Sequence, residues 1–509
     1  MNRTAALRCL AAAIAVLAVL ALGLFHQPFY PRTWLDEGFA LQGAMNLARH
    51  RTYAMKSAEG FRVLDVPLIA NGPGIVVPIS LAFNVFGVGL LQARLVMVVY
   101  LVGASAAFFT VGRRLFGVPA ALVSVFLLLA LPREGFLFLG RQTLGNVPAL
   151  AYFLCGYLLW LISLENDRLV YPASAGILWG AAMMTKGQYW LVLPALALLA
   201  VADQFHLRQI GFKKVGTAFV TALGCLGIWY VAQVLIVGWE DYGEHFRAVG
   251  ATASLSVFAM RPARIPGSVW YLVRSGILPV AAPGLLYAFW RCWKRDRRCA
   301  GQMLLLAFSL VWLAWYVLVS VGWHRYAFAP YAASCILTGG FVIEAIRGLR
   351  AKLPIAGHWR VGTIWRWCAA LLLLVGLVAT GLALSNQIRR IVASPIVSAQ
   401  DFARYLDANI ESGALVESWE WELDALVDLT YHHPTNDWVD RKTAVLQFGD
   451  KEPQEGYPLL SYEPDYLIDG PFSKWTGLYA QSIDAGCCTL VRTNGPYDLY
   501  ELGAGETGD

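Results

Sequence analysis

Long apolar runs recur along most of this 509-residue chain, and they constrain its fold more than any motif does. A helix of about 20 apolar residues crosses the hydrocarbon layer of a bilayer. About eleven runs read as such spans: 8–25, 90–111, 118–132, 147–164, 170–186, 189–203, 215–237, 268–290, 302–320, 326–346 and 364–386. With 58% hydrophobic and 15% charged residues and a mean hydropathy of +0.53, the composition is that of a membrane protein rather than a soluble domain. The expected fold class is a polytopic α-helical membrane protein with a soluble α/β domain at its C-terminal end.

Basic residues set the expected orientation. With the N-terminus in the cytoplasm, Arg113/Arg114, Arg168, Arg208/Lys213/Lys214, the Arg291–Arg298 cluster and Arg347/Arg350/Lys352 all fall inside. The loop after the first span, and everything after about residue 390, then fall outside. The +6 net charge is mainly these cytoplasmic loops set against an acidic tail, so it does not imply nucleic acid. The first run could serve as a signal peptide, since Arg3 and Arg8 precede it. Bulky Phe25, Phe29 and Tyr30 follow it in place of a small-residue cleavage site, which favours a retained helix.

Three regions follow: 1–89, a span and a long first outer loop; 90–388, a helical bundle; and 389–509, a soluble domain. From Asp401 on, 21 Asp and Glu stand against six Lys and Arg. Ala399–Asn409 reads as a helix, and 414–419 and 489–492 read as strands. In the first loop, Phe39–Arg49 has helical spacing suited to the interface plane, and Ile75–Phe86 reads as a second juxtamembrane helix. The nine cysteines form no disulfide framework, although Cys487 and Cys488 could bridge.

Ionisable residues at the mouth of a bundle mark function by default. Asp36 and Glu37, in Trp34-Leu35-Asp36-Glu37, come first. They could cap the following helix, or Asp36 could act as a general base on a hydroxyl. Outer-side cations could hold an anionic leaving group: Arg62, Arg141, Lys186 in Thr185-Lys186-Gly187, and Arg325 in His324-Arg325-Tyr326. Each could instead snorkel to the interface. Weaker candidates are His432-His433 as metal ligands or a polar loop, Trp239-Glu240-Asp241 as a substrate contact or interfacial anchor, and Trp419-Glu420-Trp421-Glu422 with Trp475 as sugar-stacking surfaces. No motif for a resident cofactor stands out, and the sequence does not decide whether a divalent metal is used.

The order of motifs resembles the bacterial protein-mannosyltransferase-like branch of the polyprenyl-phosphate-dependent glycosyltransferases, family 39, which includes the aminoarabinose transferases of lipid A. The motifs are Leu35-Asp36-Glu37, Gly72-Pro73-Gly74, Phe86-Gly87, Ala93-Arg94-Leu95, Gly112-Arg113-Arg114-Leu115-Phe116-Gly117, Asn146-Val147-Pro148, the 180–187 segment ending in Thr185-Lys186-Gly187, and Arg325-Tyr326 with Pro330. They cover roughly residues 30–345. The resemblance implies a GT-C fold, a polyprenyl-phosphate sugar donor entering from the bilayer, and inverting transfer to an envelope acceptor (glycolipid, lipid A, polysaccharide or protein) on the outer face of the bacterial inner membrane. It makes Asp36 the catalytic position. Lys186 and Arg325 would hold the donor phosphate, aided by Arg62 and Arg141, while Glu37, Asn146, His324 and Tyr326 would contact substrate. Two departures stand out: Gly72-Pro73-Gly74 replaces a Lys-Pro-Pro pattern, and Asn146 replaces an acidic residue. Arg62 and Glu134 are the residues that could compensate. Rival classes are a flippase of a lipid-linked sugar and a non-catalytic scaffold. The spans are nearly free of acidic residues at mid-depth, which disfavours the former. A scaffold leaves Asp36 and Lys186 unexplained.

Overall fold

The computed structural model describes residues 14, 16–131, 134–295, 299–350, 361–393, 399–450 and 456–502. Within them, six helices are long and apolar enough to cross a membrane: Leu90–Phe116, Asn146–Glu165, Gly187–Leu207, Phe212–Val237, Cys299–Leu318 and His324–Gly348. Two shorter apolar helices, Pro73–Phe86 and Val118–Leu129, pack with them, as do Val170–Thr185 and the 32-residue helix Val361–Val392. The chain is therefore a multi-pass membrane protein. The run at 268–290 differs from expectation. It breaks into Pro262–Arg274 and Ile277–Trp293, bent by 85° at Gly276, whose φ of +80° ends the first piece. The run at 8–25 is described only in part, as helix at 16–24.

The segment before the Leu90–Phe116 helix forms the helix Leu35–His50, a β-hairpin and Pro73–Phe86. The hairpin, unforeseen in the sequence, pairs β1 (Ala54–Ser57) with β2 (Gly60–Val63). The Leu35–His50 helix does not lie with one face in lipid. Leu35 and every residue from Glu37 to Asn46 are buried, because protein covers the helix on all sides.

Part of that cover is the C-terminal region. Its five strands are β3 (Leu415–Ser418), β4 (Thr430–His432), β5 (Tyr466–Asp469), β6 (Cys488–Asn494) and β7 (Tyr497–Leu502), in the order β4-β3-β5-β7-β6. β3 runs parallel to β4 and β5, whereas β7 is antiparallel to β5 and β6. The helix Ala399–Asn409 places Phe402 and Leu406 in a core with Val416, Ile468, Tyr497 and Leu499. A second core is shared across regions. Leu35, Phe39 and Leu41 of the Leu35–His50 helix, and Ile75, Ile79 and Phe83 of Pro73–Phe86, bury together with Trp419, Trp421, Tyr457 and Phe472. Gly38 permits this docking, since a Cβ there would collide with the Trp421–Glu422 backbone. The hairpin adds a tie, with the Ala58 amide donating to the Tyr431 carbonyl at 2.6 Å.

This docking corrects two expectations. Trp419 and Trp421 are core residues, not exposed sugar platforms, while Trp475 stays half exposed. His432 and His433 are buried beside carboxylates rather than in a polar loop. His432 contacts Glu417, and His433 sits 2.9 Å from Asp424 and stacks on Trp421 at 3.6 Å. Among the described residues, no group of three or more His, Cys, Asp or Glu is placed to hold a metal. Cys487 and Cys488 are free thiols.

Candidate active site at the bundle mouth

Successive residues on a helix point about 100° apart, and this separates the two adjacent carboxylates. Glu37 turns into the protein. It is fully buried and meets Arg94 in a fork-to-fork ion pair, Nε to Oε1 at 2.9 Å and Nη2 to Oε2 at 2.7 Å. The Thr143 amide also donates to Glu37, at 3.1 Å. Arg94 spends its remaining donors on the carbonyls of Gln27 (2.6 Å) and Pro31 (2.8 Å). Glu37 thus fastens the loop before its helix to the Leu90–Phe116 span.

Asp36 turns the other way, into a cavity of about 570 Å³. Its carboxylate pairs with Arg325, with the second contact at 3.4 Å. Arg325 sits on the one-turn helix His324–Ala327, with Trp323 against its guanidinium at 4.9 Å. Its Nε is buried without a hydrogen-bond partner among the described residues. Beside it, His324 stacks on Tyr271 with ring centroids 3.9 Å apart.

Lys186 follows the Val170–Thr185 helix at a break in the backbone. It donates to Asn71 Oδ1 at 3.0 Å. That contact needs Gly72, because a Cβ there would run into the Met184 carbonyl and push the Asn71 loop away. Burial and the nearby Arg325 charge push the Lys186 ammonium down to about 7, against the opposing pull of Asp36. For Asp36 the balance tips the other way. Burial raises its pKa, but Arg325, with Lys186 behind it, more than offsets that and holds the carboxyl below its ordinary value.

The cavity therefore has a charged floor of Asp36, Lys186 and Arg325. Asn71, Gln188, Glu134, His324 and Tyr326 also line it. Its roof comes from the C-terminal region: Asn436, Asp440 and Gln447 of the helix Asn436–Phe448, with Phe472 and Trp475 of Pro471–Thr476. Glu420 anchors that last helix by accepting from the Phe472 and Ser473 amides, both at 2.9 Å. A carboxylate beside two cations, under an aromatic roof, can accept a proton at one point while gripping an anion at another.

Three solved structures share this arrangement of chain. The ArnT structure from Cupriavidus metallidurans bound to undecaprenyl phosphate superposes with a TM-score of 0.62 at 16% identity, covering 98% of this chain and 99% of that one. The apo form of the same protein gives 0.62 at 14% identity, covering 98% of each chain. The oligosaccharyltransferase AglB from Archaeoglobus fulgidus, in complex with an inhibitory peptide and a dolichol-phosphate, gives 0.55 at 13% identity, covering 99% of this chain and 75% of that one. The chain has the GT-C fold. Residues 70–231 of this GT-C chain also match the model of the dolichyl-phosphate-mannose-protein mannosyltransferase family, in line with the family resemblance read from its motifs. No curated protein matches it.

Of the sequence-derived site residues, the GT-C cavity brings together Asp36, Lys186, His324, Arg325 and Tyr326. Glu37, Arg62, Arg141 and Asn146 lie outside its described lining. Arg62 packs over Trp421 at 5.2 Å and lies 3.6 Å from Asp65, so it does not replace the missing lysine of the first loop. Arg141 is fully buried and donates to the carbonyls of Leu22, Gly23, Phe25 and Tyr30, closing the C-terminal end of the first helix, where a cation is favoured. Asn146 starts the Asn146–Glu165 helix with its Oδ1 buried and unbonded among the described residues. Trp239 is exposed and also outside the lining. Asn71, Gln188 and Asp440 were missed. Only Asn71 carried a signal, as the residue before Gly72-Pro73-Gly74.

The two carboxylates should separate by stability. Glu37→Gln leaves the buried Arg94 without its counter-charge and should lower stability by about 3–5 kcal/mol, read as a lower thermal midpoint in detergent. Asp36→Asn, at a partly open cavity wall, should leave the midpoint within a few degrees of wild type.

Proposed function

We propose that this chain is a membrane glycosyltransferase that moves a sugar from a polyprenyl-phosphate carrier to an acceptor hydroxyl on the outer face of the bacterial inner membrane, with inversion at the anomeric carbon. The observation that carries the reading is the Asp36–Arg325–Lys186 floor of the cavity. The match of residues 70–231 to a lipid-phosphate-dependent mannosyltransferase family supports the class. So do the polyprenyl phosphates in the similar structures of ArnT and AglB.

In this mechanism Asp36 takes the acceptor hydroxyl proton as the oxygen attacks the anomeric carbon. The bond from that carbon to the phosphate oxygen breaks from the opposite side. The electron pair leaves with the polyprenyl phosphate, whose charge Lys186 and Arg325 stabilise. Arg325 pairs with Asp36, and a carboxylate so held is a weak base. A donor phosphate competes for the same guanidinium, so donor binding frees Asp36 for its task. Arg94 and Arg113 stand near opposite ends of the Leu90–Phe116 helix, 19 residues apart. At 1.5 Å per residue they lie roughly 29 Å apart, about one hydrocarbon thickness. The cavity mouth then faces outward and the Arg113-Arg114 loop faces the cytoplasm.

Two outcomes test this. Asp36→Asn should lower transfer by at least about a hundredfold in membranes supplied with native donor and acceptor lipids, while undecaprenyl phosphate still binds. Undiminished transfer would end the assignment. The second outcome is a pH dependence. Lys186 is an ammonium below about 7, and a bound phosphate raises that value. Affinity for undecaprenyl phosphate should therefore hold below pH 7 and fall by up to about tenfold per pH unit above it. Lys186→Arg, charged throughout, should flatten that fall, so identical profiles for the two proteins would remove Lys186 from the phosphate site.

A further inference from the structure

The proposed reaction uses the floor of the cavity and leaves its roof without a role. Asp440 is the feature of the roof that calls for a partner. Its Oδ2 accepts from Thr252 Oγ1 at 2.8 Å, and no cation pairs with it among the described residues. Arg264, which also lines the cavity, instead donates to Gln447 at 2.5 Å and lies over the Phe448 ring. Burial, with the neighbouring Asp437 charge, pushes the Asp440 carboxyl up to about 6. A partly desolvated carboxylate held by a single hydroxyl gains strongly from a cationic ligand.

Aromatic faces line the same cavity. Trp34 and Trp475 both contact Phe472, each with ring centroids 5.7 Å apart, and half of Trp475 is exposed. Such faces stack on the C–H surface of a sugar ring and attract an ammonium. Carboxylate and aromatic wall together specify a ligand that is flat-faced, hydroxylated and positively charged. The cationic floor discourages such a ligand from entering in reverse.

We propose that Asp440 selects the acceptor, and that the acceptor is a carbohydrate bearing a free amine. Its ammonium seats against Asp440, its ring lies on the Trp475 side of the cavity, and a hydroxyl is thereby directed down toward Asp36. This rests on the transferase reading, in which donor phosphate takes Lys186 and Arg325.

The test uses the full-length protein in detergent and three probe sugars: glucosamine, N-acetylglucosamine and glucose. Saturation-transfer NMR gives their affinities, and undecaprenyl phosphate binding is measured separately. Asp440→Asn keeps the shape and can still accept from Thr252, but it loses the charge. Wild type should bind glucosamine at least about tenfold more tightly than N-acetylglucosamine. Asp440→Asn should abolish that preference and leave undecaprenyl phosphate affinity unchanged. Equal affinities for the two sugars in wild type, or a preference that survives the substitution, would overturn the proposal. Failure of wild type to bind undecaprenyl phosphate would instead strike the transferase reading. If the variant does not fold, wild type alone decides. Its glucosamine affinity should fall below about pH 6 while glucose affinity stays level, and parallel profiles for the two sugars would refute the role of Asp440.

Discussion

One guanidinium facing two anions is the constraint on which the site depends. Arg325 holds Asp36, and in the proposed reaction the same group is offered to the donor phosphate. In a largely buried, partly open cavity, an anion is poorly stabilised without a partner cation. Lys186 cannot fully substitute, because its own ammonium is weakened by burial and by Arg325. Charge on the floor is thus balanced for one added anion, and the state of Asp36 follows from whether that anion is present.

Such a floor needs its charged groups held in place. The fold supplies this with buried charge and close backbone contact. Glu37 and Arg94 tie the loop before the Asp36 helix to a span, and Arg141 gathers four carbonyls where the first helix ends. Gly72 lets the Asn71 loop close on Met184, which brings Asn71 Oδ1 to Lys186. Gly38 lets the C-terminal region sit on the far side of the same helix. The roof of the cavity is therefore fixed to its floor through a shared core rather than hinged over it.

Helical spans and the position of Asp36 were readable because they rest on local signals: hydropathy, chain order and motif placement. Ala399–Asn409 was legible in full from its apolar spacing. The roles of the buried cations were not. Arg62, Arg141 and Arg325 look alike in sequence, all being outer-side arginines beside apolar runs. Only tertiary contacts decide which one meets a carboxylate in a cavity and which one meets backbone carbonyls. Glu37 shows the same limit, since one helical step sends it to Arg94 instead of to the cavity. Asp440 had no local signal, because its importance arises from Thr252, some 188 positions away in sequence. Tryptophans 419 and 421 misled for a related reason: a Trp-Glu-Trp-Glu pattern suggests an exposed face, but here the Leu35–His50 helix covers it.

In the proposed reaction donor phosphate and Asp36 compete for Arg325. Difference infrared spectroscopy of the Asp36 carboxylate, with Asp36→Asn as the reference, reads this directly when titrated with and without undecaprenyl phosphate. Asp36 should titrate below an ordinary carboxylate before undecaprenyl phosphate is added and move upward once the phosphate is bound. A titration that stays in place, or moves lower, when the phosphate binds would contradict that competition.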